Sequence, residues 1–151
     1  MRLYRIGKPK YSKDLKGDGA KLNGGRWNHE GIACIYTAES RALCLLEYSV
    51  HVQLADLPKT LCFTIFEVPD DSMLSLEIES LPVNWQNWPH SKNTRDFGTQ
   101  LLRENKYLIF KFPSAVLPFE YNYIINPAHS DMYKVKIIDV VDYAYDTRIK
   151  E

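Results

Sequence analysis

No apolar run in the chain approaches the roughly 18 residues of a membrane-spanning helix. The amino terminus, Met1-Arg2-Leu3-Tyr4-Arg5, also lacks the apolar stretch of a secretory leader. The expectation is a chain with no membrane partner that works in the cytoplasm. Net charge is missing too: 19 basic residues meet 19 acidic ones. Long-range attraction to a polyanion is therefore not a property of the whole molecule, and any anion site must be local. This argues against direct nucleic-acid binding, which favours a basic stripe. The three cysteines, Cys34, Cys44 and Cys62, include no C-x-x-C pair and sit among apolar neighbours. They read as buried thiols in a reducing compartment rather than a disulfide framework. The four histidines are scattered without metal-ligand spacing, so no metal is expected. There is no repeat, low-complexity tract or linker.

What is present is an ordinary globular balance, 45% apolar and 25% charged residues over 151 positions. That length suits one domain, residues 1–151, burying roughly 68–70% of its unfolded surface. Residues 8–31 are rich in Gly, Lys, Asp and Asn and read as one long polar loop. The run Ile32-Ala33-Cys34-Ile35-Tyr36 reads as a strand. Ser40 is placed to cap a helix from Arg41 to about Val52. Residues 60–68 have the β-branched and aromatic density of a central strand, stopped by Pro69. Residues 81–92 are irregular, with Trp85 and Trp88 either exposed for association or plugging the core. A second helix is expected over Asp96–Glu104, capped by Thr94, with Phe97, Leu101 and Leu102 inward. Short strands are expected at 107–112, 121–125 and 133–142. Without a βαβα rhythm this is α+β: a compact single domain with a mixed, mostly antiparallel sheet and flanking helices.

Three places break the local rules. Gly24-Gly25-Arg26-Trp27-Asn28 joins a flexible backbone to a guanidinium suited to phosphate oxygens. It reads equally as a Gly-Gly turn with Arg26 solvated. Glu47 falls on a helical stripe with Leu43 and Val50, Leu46 adjoining, while Arg41 and Ser49 lie on the polar side. A carboxylate there needs a partner or a cleft, because burying it alone is costly. Either a structural ion pair or a carboxylate aimed into a cleft satisfies this. Finally, Pro113 ends a strand and places Ser114 just beyond it. His129 is a conceivable partner, but a hydrolase triad lacks its G-x-S-x-G turn, so Ser114 reads as a hydrogen-bonding serine.

Together these pieces resemble the RES domain, a bacterial toxin family named for an Arg, a Glu and a Ser. The similarity runs from Leu3-Tyr4-Arg5-Ile6 through Gly19-Ala20, Gly24-Gly25-Arg26-Trp27-Asn28 and Gly31. It continues with Tyr36-Thr37-Ala38-Glu39-Ser40, Leu43, Glu47 and Val50-His51. It resumes at Pro113-Ser114-Ala115, Asn122-Tyr123 and Asn126-Pro127-Ala128-His129, and ends near Asp146-Thr147-Arg148. Phe112, Gln100 and Ser130 depart from the family's usual residues.

The resemblance implies a fold like that of ADP-ribosyltransferases and the toxin role of a type II toxin–antitoxin pair. It implies an Xre-family antitoxin as partner and a homodimer within the complex. It implies consumption of NAD⁺ by cleaving the nicotinamide–ribose bond, through hydrolysis or phosphorolysis. NAD⁺ is then the substrate, inorganic phosphate a possible co-substrate, and no resident cofactor is called for. The family's Arg, Glu and Ser fall on Arg26, Glu47 and Ser114 as the catalytic set. Arg26, Tyr36, Ser114 and Asn126 would bind NAD⁺, with Trp27, Asn28, His51 and His129 behind them as doubtful supports. The alternatives are mono-ADP-ribosyl transfer to a host protein, and a non-catalytic nucleotide-binding or partner-docking module.

Overall fold

A computed structural model describes residues 1–151. The chain runs β1 (Arg2–Gly7), α1 (Asp18–Asn23), β2 (Ile35–Ala38), α2 (Arg41–His51) and β3 (Leu61–Glu67). It continues through β4 (Met73–Ser75), α3 (Lys92–Glu104), β5 (Ile109–Pro113), β6 (Tyr121–Ile125) and β7 (Lys136–Tyr143). One seven-stranded sheet results, in the order β4-β5-β6-β2-β1-β3-β7. Every neighbouring pair is antiparallel except β4 with β5. This is the mixed, mostly antiparallel α+β sheet that the element pattern implied. No helix is long and apolar enough to cross a membrane.

Alternation along the strands divides the core between the two faces. Leu3, Ile35, Phe66, Ile109, Tyr123 and Ile125 fill one face. On the other, Trp27, Phe110, Phe112 and Ile124 pack with Leu102 of α3. Beside them Ala38 and Phe63 receive Leu43 and Cys44 of α2. In β3 every residue from Leu61 to Phe66 is buried, as a strand covered on both faces requires. The three cysteines are buried and free, filling space as small hydrophobes.

Several boundaries differ from expectation, each for a local reason. The 8–31 segment is not one loop, because α1 and a 3-10 turn at Pro9–Tyr11 interrupt it. Gly17 (φ 71°) opens α1 in the left-handed region and Gly24 (φ 69°) closes it, so the glycines that suggested a loop are helix ends. The Arg5 guanidinium gathers this segment by donating to the carbonyls of Tyr11, Ser12 and Asp14. The strand read at 32–36 sits at Ile35–Ala38, where the register with β6 begins. Ahead of β7, residues Ser130–Lys134 form a 3-10 turn, so the strand starts at Lys136 rather than 133.

Helix α3 starts four residues early. Its cap is Ser91, whose Oγ accepts from the Thr94 N–H, and the Thr94 hydroxyl lies 2.7 Å from the same oxygen. Thr94 is thus a buried residue inside the first turn rather than the cap. Leu102 is fully inward, with Phe97 and Leu101 partly so.

The helix α3 also leans directly on the Arg26 loop. A Cβ at Gly98 would overlap the Trp27 backbone carbonyl, which no side-chain movement can relieve. Alanine ordinarily stabilises a helix by about 1 kcal/mol over glycine. Here the sign is expected to reverse: Gly98→Ala should cost about 1–3 kcal/mol through overpacking, read as a lower urea midpoint.

Candidate active site

Helix geometry sets Glu47 about 40° from Leu43 and about 60° from Cys44 around α2, in the middle of its buried arc. Leu43 and Cys44 are buried, whereas Val50 (49% exposed) and Leu46 (36%) face solvent. The apolar stripe proposed through Val50 is therefore wrong at its far end. Ser49, placed on the polar side, is buried, donating to the Leu45 carbonyl and accepting from the Tyr145 hydroxyl.

Glu47 is held by two side chains from the sheet. Its Oε1 accepts from the Ser114 hydroxyl at 2.6 Å and from the Asn122 amide at 2.7 Å. Ser114 Oγ in turn accepts from the Val116 and Leu117 N–H groups. Backbone dipoles thus align the hydroxyl, which aligns the carboxylate, and each bond in such a chain polarises the next. Ser114 is wholly buried and fully engaged, so it positions Glu47 and is no nucleophile. Both bonds fall on Oε1, leaving Oε2 for another group. The resemblance includes Asn122 without giving it a role, since an asparagine in a short strand carries no chemical signal by itself. Its position opposite Ala38 in the β2–β6 register brings it below α2. Asn122→Ala is expected to slow turnover about tenfold or more, because a charge-assisted hydrogen bond is worth about 1.5–3 kcal/mol. The same loss should lower the melting temperature by several degrees, with the protein still folded at about 25 °C.

Arg26 is anchored by its backbone-directed Nη1, which donates to the carbonyls of Trp85 at 2.7 Å and Asn87 at 2.9 Å. Partial burial lowers its pKa, while attraction to Glu47 and Tyr36 works the other way. Arginine nonetheless stays charged at neutral pH. Arg26 and Glu47 feel each other's charge without forming an ion pair. His51, one turn beyond Glu47, senses both: burial and Arg26 lower its pKa and Glu47 opposes them. Its ring lies 4.9 Å from that of Trp88, which is 65% exposed.

The residues around Arg26 form its mounting. Trp27 is buried, stacked 4.1 Å from Phe112 and flanked by Trp85 and Phe97. Asn28, also buried, donates to the carbonyls of Ala20 and Ile32 and accepts from the Tyr36 hydroxyl at 2.6 Å. That hydroxyl also accepts from the Trp27 N–H, and burial raises the Tyr36 pKa well above its ordinary value. A Cβ at Gly25 would lie 2.7 Å from the same hydroxyl oxygen, so this glycine makes room for Tyr36. The Gly25 N–H is spent on the Asn28 carbonyl. The paired glycines serve the protein's own packing, not close approach to a ligand. Tyr36 orients the loop, donating to Asn28 and accepting from the Trp27 N–H.

Two expected residues lie elsewhere. Asn126 is four residues along from Asn122, about 13 Å at strand spacing. Its amide donates to the Leu102 carbonyl and Asn105, and its oxygen accepts from the Ala128 N–H. It ties the end of α3 to the turn after β6. His129 caps the following 3-10 turn, its Nδ1 accepting from the Asp131 N–H. The two indoles divide: Trp85 is buried and Trp88 exposed, so neither the all-core nor the all-surface reading holds.

A cleft of about 490 Å³ lies between β1 and the 8–23 segment and shares only Tyr36 with these groups. Arg26 and Glu47 lie outside it, within electrostatic reach of each other and of His51, whose ring packs beside Trp88. The arrangement suits a ligand with an anionic part for Arg26 and a part that gains positive charge beside Glu47.

Comparison with known proteins is decisive. The RES domain model matches residues 2–146. The chain belongs to the RES domain family. It is 40% identical over 139 residues to the "Prs ADP-ribosylating toxin" of Sphingobium sp. strain YBL2, covering 90% of this chain and 86% of that one. It is 34% identical to "Toxin Res" of Yersinia enterocolitica, covering 99% of this chain and all of the relative. A chain in the crystal structure of the M. tuberculosis MbcT–MbcA toxin–antitoxin complex superposes with a TM-score of 0.78 at 19% identity. That likeness covers 95% of this chain and 84% of the other and establishes a shared fold.

Proposed function

We propose that this RES-family toxin consumes NAD⁺ by cleaving the nicotinamide–ribose bond, with water or inorganic phosphate as acceptor. The observation that carries this is the Glu47 carboxylate, fixed through Oε1 by Ser114 and Asn122 and set near the Arg26 guanidinium. The nicotinamide of NAD⁺ is already cationic and leaves neutral, taking the electron pair of the broken carbon–nitrogen bond. No strong acid is needed. The ribose carbon becomes electron-poor, as in other oxocarbenium-like glycosyl transfers. A preorganised carboxylate stabilises that developing charge more than the ground state, which is the condition for acceleration. Oε2 is the oxygen free to face the sugar, and Arg26 takes the diphosphate. Ser114, Asn122 and Tyr36 hold these two groups in place. The acceptor oxygen then bonds to the ribose carbon and releases its proton to solvent.

The name of the Sphingobium relative favours a second reading, mono-ADP-ribosyl transfer to a protein, at the same site. The two differ only in acceptor. Purified protein is incubated with NAD⁺, with and without phosphate, and nicotinamide is quantified. In parallel, label in the ADP-ribose part is followed in a host lysate. Nicotinamide release without labelled protein supports the first reading, and a discrete labelled band supports the second. No release under any of these conditions contradicts both and leaves the non-catalytic module. An Xre-family antitoxin, a toxin homodimer within the complex and a cytoplasmic site of action complete the proposal.

A further inference from the structure

Beside His51 and Trp88 lies a corner whose hydrogen-bonding capacity is unspent. His90 Nδ1 and Arg95 Nε are both shielded from solvent, and neither has a hydrogen-bond partner. Such groups are rare in native proteins, since an unmet buried polar atom costs about 1–3 kcal/mol. Two of them within one small cluster need a common reason. The ring of His90 stands edge-on to Trp88 at 4.7 Å, and His51 lies 6.3 Å away.

The charges around this corner are of one sign. Burial pushes the His90 imidazole down to about 4, and Arg26, His51 and Arg95 all push in the same direction. No carboxylate offsets them at His90. The adjacent acid, Asp96, is committed elsewhere, accepting from Lys92 at 2.8 Å and pairing with His29 at 2.5 Å. Glu47 is within electrostatic reach of Arg26 and His51, the two groups that lie between it and the corner. An unpartnered guanidinium N–H and an unpartnered imidazole nitrogen thus lie in the field of a second guanidinium, with no carboxylate acting on His90 itself. The ligand that suits them is a compact oxyanion able to accept several hydrogen bonds at once.

We propose that His90 and Arg95, together with Arg26, form a phosphate-binding corner that seats an oxyanion next to Glu47. The inference rests on the NAD⁺ reading above for its biological sense. The oxyanion has two possible sources there, free inorganic phosphate as the acceptor or the diphosphate of the dinucleotide. Binding itself requires no turnover, so the two ideas fail separately.

The test is a titration of ¹⁵N-labelled wild-type protein, at constant ionic strength, with inorganic phosphate and separately with ADP. The Arg95 Nε–H and His90 ring signals are followed. Saturable movement of both with phosphate assigns the corner to the acceptor, and movement with ADP alone assigns it to the diphosphate. If neither signal moves with either probe, the proposal is overturned. Arg95→Gln should weaken binding of the active probe at least fivefold, with Arg95→Lys intermediate and a melting curve confirming each fold. Unchanged affinity in a folded Arg95→Gln protein would also overturn it. Should the wild type bind phosphate yet release no nicotinamide, the corner stands and the NAD⁺ reading falls.

Discussion

Glu47→Gln is expected to lower the rate of nicotinamide release by about 10²–10³-fold, the usual loss when one preorganised electrostatic group is removed from a transition state. The substitution keeps the size and shape of the side chain. Its amide oxygen still accepts from Ser114 and Asn122, so α2 should stay seated on β1 and β2. What disappears is the negative charge facing the ribose. The loss should therefore fall on kcat, with KM for NAD⁺ little changed, because Arg26 and the phosphate contacts remain. A circular-dichroism melt matching the parent separates this from unfolding. An equal drop in the Ser114→Ala protein would be the mark of a nucleophilic serine. The geometry predicts a smaller effect there, since Asn122 still holds the carboxylate.

The largest effect on stability is expected at Trp27. Its indole is buried and touches Trp85, Phe97 and Phe112, joining the loop of Arg26 to α3, to β5 and to the 81–90 segment. Trp27→Ala should cost about 3–5 kcal/mol, the range for deleting a large core aromatic. Against a total stability of about 5–15 kcal/mol this is severe. For a chain of this size it corresponds to a fall in melting temperature of about 6–20 °C. The loss should be cooperative rather than local, because the same ring belongs to the central packing beneath α3. A shift of only a degree or two would show that the Arg26 loop is not built into the core.

The contrast between these two residues shows what was legible in the sequence. Glu47 was readable because a carboxylate in the middle of an apolar helical arc is a local conflict. Ser40, Leu43 and the dense run 61–67 were readable because caps and strand composition act within a few residues. Asn122 was not, because its importance comes from register: it pairs opposite Ala38, and α2 follows that strand after a two-residue turn. Asn126, in the same motif, is instead bonded to Leu102, Asn105 and Ala128. Four residues along a strand move a side chain out of the site, whatever motif joins them. Thr94 and Ser91 are chemically equivalent caps, and the hydrogen bond between them decides which one opens the helix only after folding. The glycines of the Arg26 loop suggested a ligand, yet Gly25 makes room for Tyr36 and Gly24 packs against Asn28 and Glu30. His90 and Arg95 offered no pattern at all, since their relation depends on how residues 85–90 turn back to meet Arg26.

The central claim is that the ribose gains positive charge beside Glu47 as nicotinamide leaves. The most direct measurement is the secondary isotope effect of deuterium at the ribose anomeric carbon, read on kcat/KM for nicotinamide release by the wild-type protein. Loosening of bonding at that carbon predicts that the deuterated substrate reacts more slowly, with a rate ratio clearly above one. A ratio at or below one, in a reaction shown to be limited by bond cleavage, would contradict the account.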